Sequence, residues 1–284
     1  MNTELVFKDY YKKSKAEITK LIKKFVDEDF FTVFPDLKDK VSIIVTGSVS
    51  HGKCDKESDI DLSIVFYNEE ERKEKKFLIV DAFRDKNKVP LKKPIEIHGG
   101  NMYSLQKLEE ELSSWNKDWL LGEISQAIII YDPSHKFEKL QIKYAWYPDK
   151  ILKEKMNWLF SESTFLIFDR YQTASKRKNL YYTEVVKLKV LRLFMLSFIL
   201  ANKKYPHSDK HLVNDLRSLG KNGVVIAEQI ENIIKKKNMS AIFDDLMIIR
   251  KKIEALLIKK SFIVKKDIDY WIGLRTTYKV IIEE

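Results

Sequence analysis

The chain has 284 residues, 44% of them hydrophobic, and a net charge of +10 from 52 Lys and Arg against 42 Asp and Glu. That length holds two modest domains, each with a core of its own. One cysteine, Cys54, excludes an internal disulfide framework and any multi-cysteine zinc site, and the longest apolar stretch, Leu193 to Ala201, is too short to span a bilayer.

The start, Met1-Asn2-Thr3-Glu4-Leu5, lacks a basic stretch followed by an apolar core, so no secretory leader is expected and a cytoplasmic location is. Residues 3–27 place Leu5, Phe7, Tyr11, Ile18, Leu21, Ile22 and Phe25 at helical spacing, which predicts a helix packed on a sheet. The run Val41-Ser42-Ile43-Ile44-Val45 is short, β-branched and bounded by polar residues, as a buried strand is. Gly47 then lets the chain turn without a Cβ in the way. Ser48 sits where backbone N–H groups and a hydroxyl can receive phosphate oxygens. After Gly52 comes a charged loop, Lys53 to Ser58.

A second strand is expected over 60–67. Side chains alternate across a strand, so Ile60, Leu62 and Ile64 point to the core while Asp59, Asp61 and Ser63 point the other way. Two carboxylates on one face, roughly 7 Å apart at their Cα atoms, can converge on one cation. Hard oxygen ligands beside phosphates favour Mg²⁺, with Mn²⁺ as its substitute. A third acid, Glu96, stands between Ile95 and Ile97 in a strand predicted over 94–98, facing outward with His98. Glu96 is a candidate for a second metal, or for taking the proton of an attacking hydroxyl.

Further along, Glu69 to Phe83 reads as partly helical. Gln106 to Leu121 reads as one helix with Trp115 and Trp119 one turn apart in the core, and a strand is expected over 127–131. The composition changes at Tyr147-Pro148-Asp149-Lys150. Beyond it the pattern predicts only helices, over 150–172, 181–203, 209–219, 224–237, 240–259 and 267–280, with Ser208 as N-cap and Gly220 as the C-terminal stop of the third. The class is therefore α+β: a domain over 1–145 with a mixed sheet and flanking helices, and a helical bundle over 146–284. Lysines at 235–237, 251–252 and 259–260 alternate with acids along helices and read as solvated faces, so nucleic acid is not the favoured partner.

Gly47, Ser48, Asp59, Asp61 and Glu96 together resemble the signature of the DNA polymerase β-like nucleotidyltransferase superfamily, with Thr46 where the family has an apolar residue. Ile128-Ile129-Ile130-Tyr131-Asp132-Pro133-Ser134 and the segment from Leu200 to Leu212 resemble small stand-alone bacterial and archaeal members that adenylylate antibiotics. The resemblance implies transfer of a nucleoside monophosphate, AMP from ATP foremost, to a hydroxyl of a small acceptor such as an aminoglycoside-like compound. It implies Asp59, Asp61 and Glu96 as catalytic residues and metal ligands. Gly47, Ser48, Ser58 and Lys210 become the expected nucleotide contacts; His211 follows Lys210 where relatives often carry Trp. Some relatives take their base from the second domain, which makes Glu184 the alternative to Glu96. Glu123, Asp132 and Glu184 are the acids on offer to a cationic acceptor. An RNA or protein acceptor, as in antitoxin-like enzymes, and a non-catalytic nucleotide-binding module are the competing readings. Small relatives sometimes complete their site across a homodimer.

Overall fold

Two short β-branched runs supply the centre of the sheet. The computed structural model describes residues 10–84, 95–97 and 99–263. The first helix, α1 (Lys15–Phe25), starts where Ser14 and Glu17 form a reciprocal cap: the Ser14 hydroxyl accepts from Glu17 N–H while Glu17 accepts from Ser14 N–H at 2.8 Å. That cap explains why the helix expected over 3–27 begins at Lys15 among the described residues; residues 3–9 lie outside them. Beyond Phe25 the helix runs on through the wider turn Val26–Phe30.

Strand β1 (Val41–Val45) leads through a single turn, α2 (Gly47–Ser50), to β2 (Ile60–Phe66), and the two strands pair antiparallel with Val45 opposite Leu62. The helix α3 (Glu69–Arg84) follows. Strands β3 (Ile95–Glu96) and β4 (Met102–Ser104) both pair parallel with β2, at its beginning and its end, so the turn Gly99–Asn101 interrupts one edge strand. β4 was not foreseen; three residues are too few for alternation to register. The region read as one helix is two, α4 (Leu105–Ser113) and α5 (Asp118–Gln126). Ser113 and Ser114 hydroxyls donate back to the carbonyls of Glu110 and Glu111, and Trp115 takes a left-handed φ of 57°. Trp115 packs on Tyr144, whereas Trp119 is exposed rather than core. Strand β5 (Ile128–Tyr131) covers the other edge of β1, antiparallel, and α6 (Lys136–Lys143) follows it.

Among the described residues the sheet is thus five-stranded and mixed, with order β3-β2-β1-β5 and β4 beside β2. Val41, Ile43, Val45, Ile60, Leu62, Ile64, Phe66, Ile95 and Met102 share one core with Ile18, Ile22 and Phe25 of α1. The period of two that buries them sends Thr46, Asp61, Ser63 and Glu96 to the opposite face.

The chain divides into two compact units, Met1–Trp146 and Tyr147–Glu284. Within the second, the described residues form α7 (Asp149–Phe165), which continues through a wider turn to Lys176, then α8 (Leu180–Ala201), α9 (Leu212–Arg217), α10 (Lys221–Lys235) and α11 (Met239–Lys259). The helix expected over 267–280 lies outside the described residues. From Val190 to Ala201, α8 is buried on nearly every side, as its continuous apolar run requires. Ser208 stands at the predicted cap position, but its hydroxyl makes no cap bond. Gly220 takes φ +78°, but it is not the C-terminal stop expected of it: α9 ends at Arg217 with Ser218 as its cap, and Gly220 stands at the N-cap of α10. The α+β class holds, with a mixed sheet in the first unit and helices in the second. No helix of the described residues is long and apolar enough to cross a membrane.

Candidate active site

The β1–β2 ladder continues one residue past Val45: Thr46 N–H donates to the Asp61 carbonyl at 3.0 Å. The chain then reverses at Gly47, with φ +66°, and comes down onto the polar face of β2. A methyl at Gly47 would stand 3.1 Å from Asp61 Cγ and overlap its Oδ2. Glycine is therefore required for both its left-handed backbone and the close approach. The turn is braced from within. Ser50 Oγ donates to the Gly47 carbonyl at 2.9 Å and Lys53 N–H to the Ser48 carbonyl at 2.9 Å.

On the sheet, Asp61 is in register with Glu96 of β3, just as Ile60 is with Ile95. Parallel neighbours lie about 4.8 Å apart, and side chains in register share a face. Both acids are half-buried, as is Asp59 immediately ahead of β2. The floor beside them is Ser63, 1% exposed, its hydroxyl 3.4 Å from Thr46 Oγ1. Tyr103 of β4, opposite Val65, belongs to the same face. Burial pushes its phenol up to about 12, and the charges of Glu123, Glu111 and Asp61 add to that. The donor set of Asp59, Asp61 and Glu96 is all carboxylate oxygen, which suits a hard divalent cation such as Mg²⁺. Among the described residues, no three His, Cys, Asp or Glu side chains stand close enough together to hold an ion.

The loop before Asp59 is more ordered than its charge suggests. The Asp55 carboxylate accepts from Glu57 N–H at 2.9 Å and from the Ser58 hydroxyl at 3.0 Å, and those bonds hold its pKa below the usual range. Ser58, an expected nucleotide contact, thus has its hydroxyl tied into its own loop, where it also accepts from Asp55 N–H at 2.9 Å. Tyr10, 5% exposed, donates its hydroxyl to the Ser58 carbonyl. Its phenol is pushed up to about 12 by burial, with smaller contributions from Cys54, Asp59, Asp55 and Asp61. The helical spacing had picked out Tyr11, not Tyr10. A contact spanning so much sequence leaves no local signal. His51 Nδ1 lies 3.2 Å from Gln126 Oε1 and ties the end of α2 to α5. His98 lies outside the described residues.

Other candidates are engaged elsewhere. Asp132 accepts from Ser42 Oγ at 2.7 Å, Tyr67 Oη at 3.2 Å and Glu138 N–H at 2.9 Å, so it anchors the exit of β5 and the start of α6. In the second unit, Glu184 pairs with the buried Lys187 at 2.6 Å. Lys210 is exposed in the turn Asp209–His211, close in sequence to His207, whose Nδ1 lies 2.5 Å from the buried Asp215 carboxylate. A groove of about 410 Å³ between α10 and α11, lined by Gln229, Asn232, Lys236 and Asp245 among others, contains none of the expected site residues.

Residues 21–121 match the family model of the nucleotidyltransferase domain, a span that contains Gly47, Ser48, Asp59, Asp61 and Glu96. Residues 117–211 match a second family, described as a domain of unknown function, which runs from α5 in the first unit to the turn Asp209–His211 in the second. No curated protein matches the chain. Among solved structures, a nucleotidyltransferase-like protein from Exiguobacterium sibiricum 255-15 is similar at a TM-score of 0.48 and 11% identity, over 84% of this chain and 76% of that one. The first unit carries a nucleotidyltransferase domain of the polymerase β-like superfamily.

Proposed function

We propose that this domain moves a nucleoside monophosphate, AMP from ATP foremost, to a hydroxyl of a small acceptor such as an aminoglycoside-like compound. The observation that carries the reading is Gly47 turned onto Asp61, with Glu96 in register beside it. The Gly47-Ser48 turn would receive the triphosphate through its backbone N–H groups. Lys210 is a proposed nucleotide contact on the resemblance alone, as is Ser58. Asp59, Asp61 and Glu96 would hold Mg²⁺, or Mn²⁺ in its place, which when bound would neutralise charge developing on the α-phosphate. Glu96 is the proposed base. It takes the acceptor's proton as the acceptor oxygen bonds the α-phosphorus, the bond to the bridging oxygen breaks, and pyrophosphate leaves. Tyr103 and Glu123 would border the acceptor side. A cytoplasmic location and a homodimer complete the proposal.

The test is a panel of labelled nucleoside triphosphates and candidate acceptors, read by pyrophosphate release. ATP with a polycationic hydroxylated acceptor is expected to give Mg²⁺-dependent release. Failure of every nucleotide, or release indifferent to metal, would overturn the reading. The +10 charge supports one competitor, an RNA acceptor; binding to tRNA that falls steeply with salt, together with labelling of the RNA, would favour it.

Glu96→Gln should lower the transfer rate by about 10²–10⁴-fold, as loss of a general base does. Single-turnover kinetics check this. An unchanged rate would hand the role to Glu184.

A further inference from the structure

We propose that Tyr10 and Lys15 are positioning residues that clamp the two ends of the loop between the Gly47-Ser48 turn and Asp59, an inference that rests on the nucleotidyl-transfer reading. The loop has to hold a phosphate-receiving turn and an acidic strand in one fixed relation, yet Gly52 and a charged sequence give it little core of its own. Its ends are held from a single segment. Lys15, at the start of α1, donates from Nζ to the Ser50 carbonyl at 2.9 Å, at the last residue of α2. Tyr10 donates to the Ser58 carbonyl, the last one before Asp59.

The second bond acts through peptide planarity. The Ser58 carbonyl oxygen and the Asp59 N–H lie in one rigid plane, so fixing that oxygen fixes where the Asp59 Cα starts. The other polar groups of Ser58 are already committed to Asp55: its N–H donates to the Asp55 carbonyl at 3.2 Å and its hydroxyl to the carboxylate at 3.0 Å. Tyr10 therefore sets the remaining freedom of the Ser58–Asp59 peptide. Its ring is buried in the core that also holds Ile18 and Ile22, so the hydroxyl is aimed by packing rather than by chance. Lys15 does the same for the turn. With Ser50 fixed, the bond from Ser50 Oγ to the Gly47 carbonyl keeps Gly47 seated on Asp61.

The experiment measures Mn²⁺ binding to the full chain in the presence of ATP, by the electron paramagnetic resonance signal of free Mn²⁺, alongside thermal melting. Wild type, Tyr10→Phe, Lys15→Met, Asp61→Asn and a control, Ile22→Val, are compared. Ile22 is fully buried in the same core and its aliphatic side chain has no hydrogen bond to donate to a loop carbonyl, so its variant reports loosening alone. Tyr10→Phe is expected to raise the Mn²⁺ dissociation constant about five- to tenfold, the reach of one lost hydrogen bond. Lys15→Met should raise it by a smaller factor, and Ile22→Val should lower the melting temperature with Mn²⁺ affinity unchanged. If Tyr10→Phe does not fold, Lys15→Met decides. Clamp variants that bind Mn²⁺ like wild type, or a control that loses affinity equally, would overturn the clamp alone. A wild type with no Asp61-dependent Mn²⁺ binding would instead sink the nucleotidyl-transfer reading, and the clamp with it.

Discussion

Asp61→Asn is expected to lower nucleotidyl transfer by about 10³-fold while the fold survives. The substitution keeps the side chain's size and leaves the backbone contacts of Asp61 with Thr46 and β3 untouched, since those use main-chain atoms. What it removes is one of the negative charges proposed to hold the cation. A Lewis-acid contribution of several kcal/mol is lost with it, and about 4 kcal/mol corresponds to ~10³ in rate. Asp61 and Glu96 stand in register on neighbouring strands and repel one another when no cation lies between them, so neutralising one should leave the melting temperature equal or slightly raised. Circular dichroism, thermal melting and initial rates of pyrophosphate release check the two halves together. A rate within tenfold of wild type would remove Asp61 from the chemistry.

Gly47→Ala should harm both stability and activity. The backbone there has φ +66°, which costs an L-residue about 1–2 kcal/mol. The new methyl also meets the Asp61 carboxylate, 3.1 Å from its Cγ. The carboxylate has to rotate away or the turn has to lift. Either shift moves a proposed metal ligand relative to the proposed phosphate site, and displacement of about 1 Å can cost ~10²-fold in rate. Urea unfolding should show a loss of about 2 kcal/mol, and the rate should fall by more than that destabilisation explains. Gly52→Ala is the comparison. Its φ is +65°, but a methyl there meets nothing, so it shares the backbone strain without the collision. Equal activity in both variants would mean that the contact between Gly47 and Asp61 is unimportant.

Much of the first unit was legible because burial wrote itself into short apolar runs. Val41–Val45 is buried throughout and Ile60–Phe66 at every residue but Asp61, and such patterns survive without knowledge of their partners. Glu96 could be found because Ile95 and Ile97 flank it, and those isoleucines are buried as expected. That Asp61 and Glu96 stand in register was beyond the sequence, since pairing depends on a second strand whose position no local pattern gives. The break at Trp115 was missed for a different reason. Helical spacing continues across it, while the stop comes from serine hydroxyls bonding back to the chain. Tyr10 was passed over and Asp132 misread because their roles depend on long-range partners, Ser58 for the first and Ser42 for the second. Asp132 looked available to a cationic ligand; its oxygens are committed to Ser42, Tyr67 and Glu138.

The most direct measurement is a crystal structure of the chain with Mg²⁺ and a non-hydrolysable ATP analogue. The proposal requires the cation against Asp59, Asp61 and Glu96, and the triphosphate over Gly47 and Ser48. Density for the analogue and the ion at any other place on the molecule, with the β2–β3 acids bare, would contradict it.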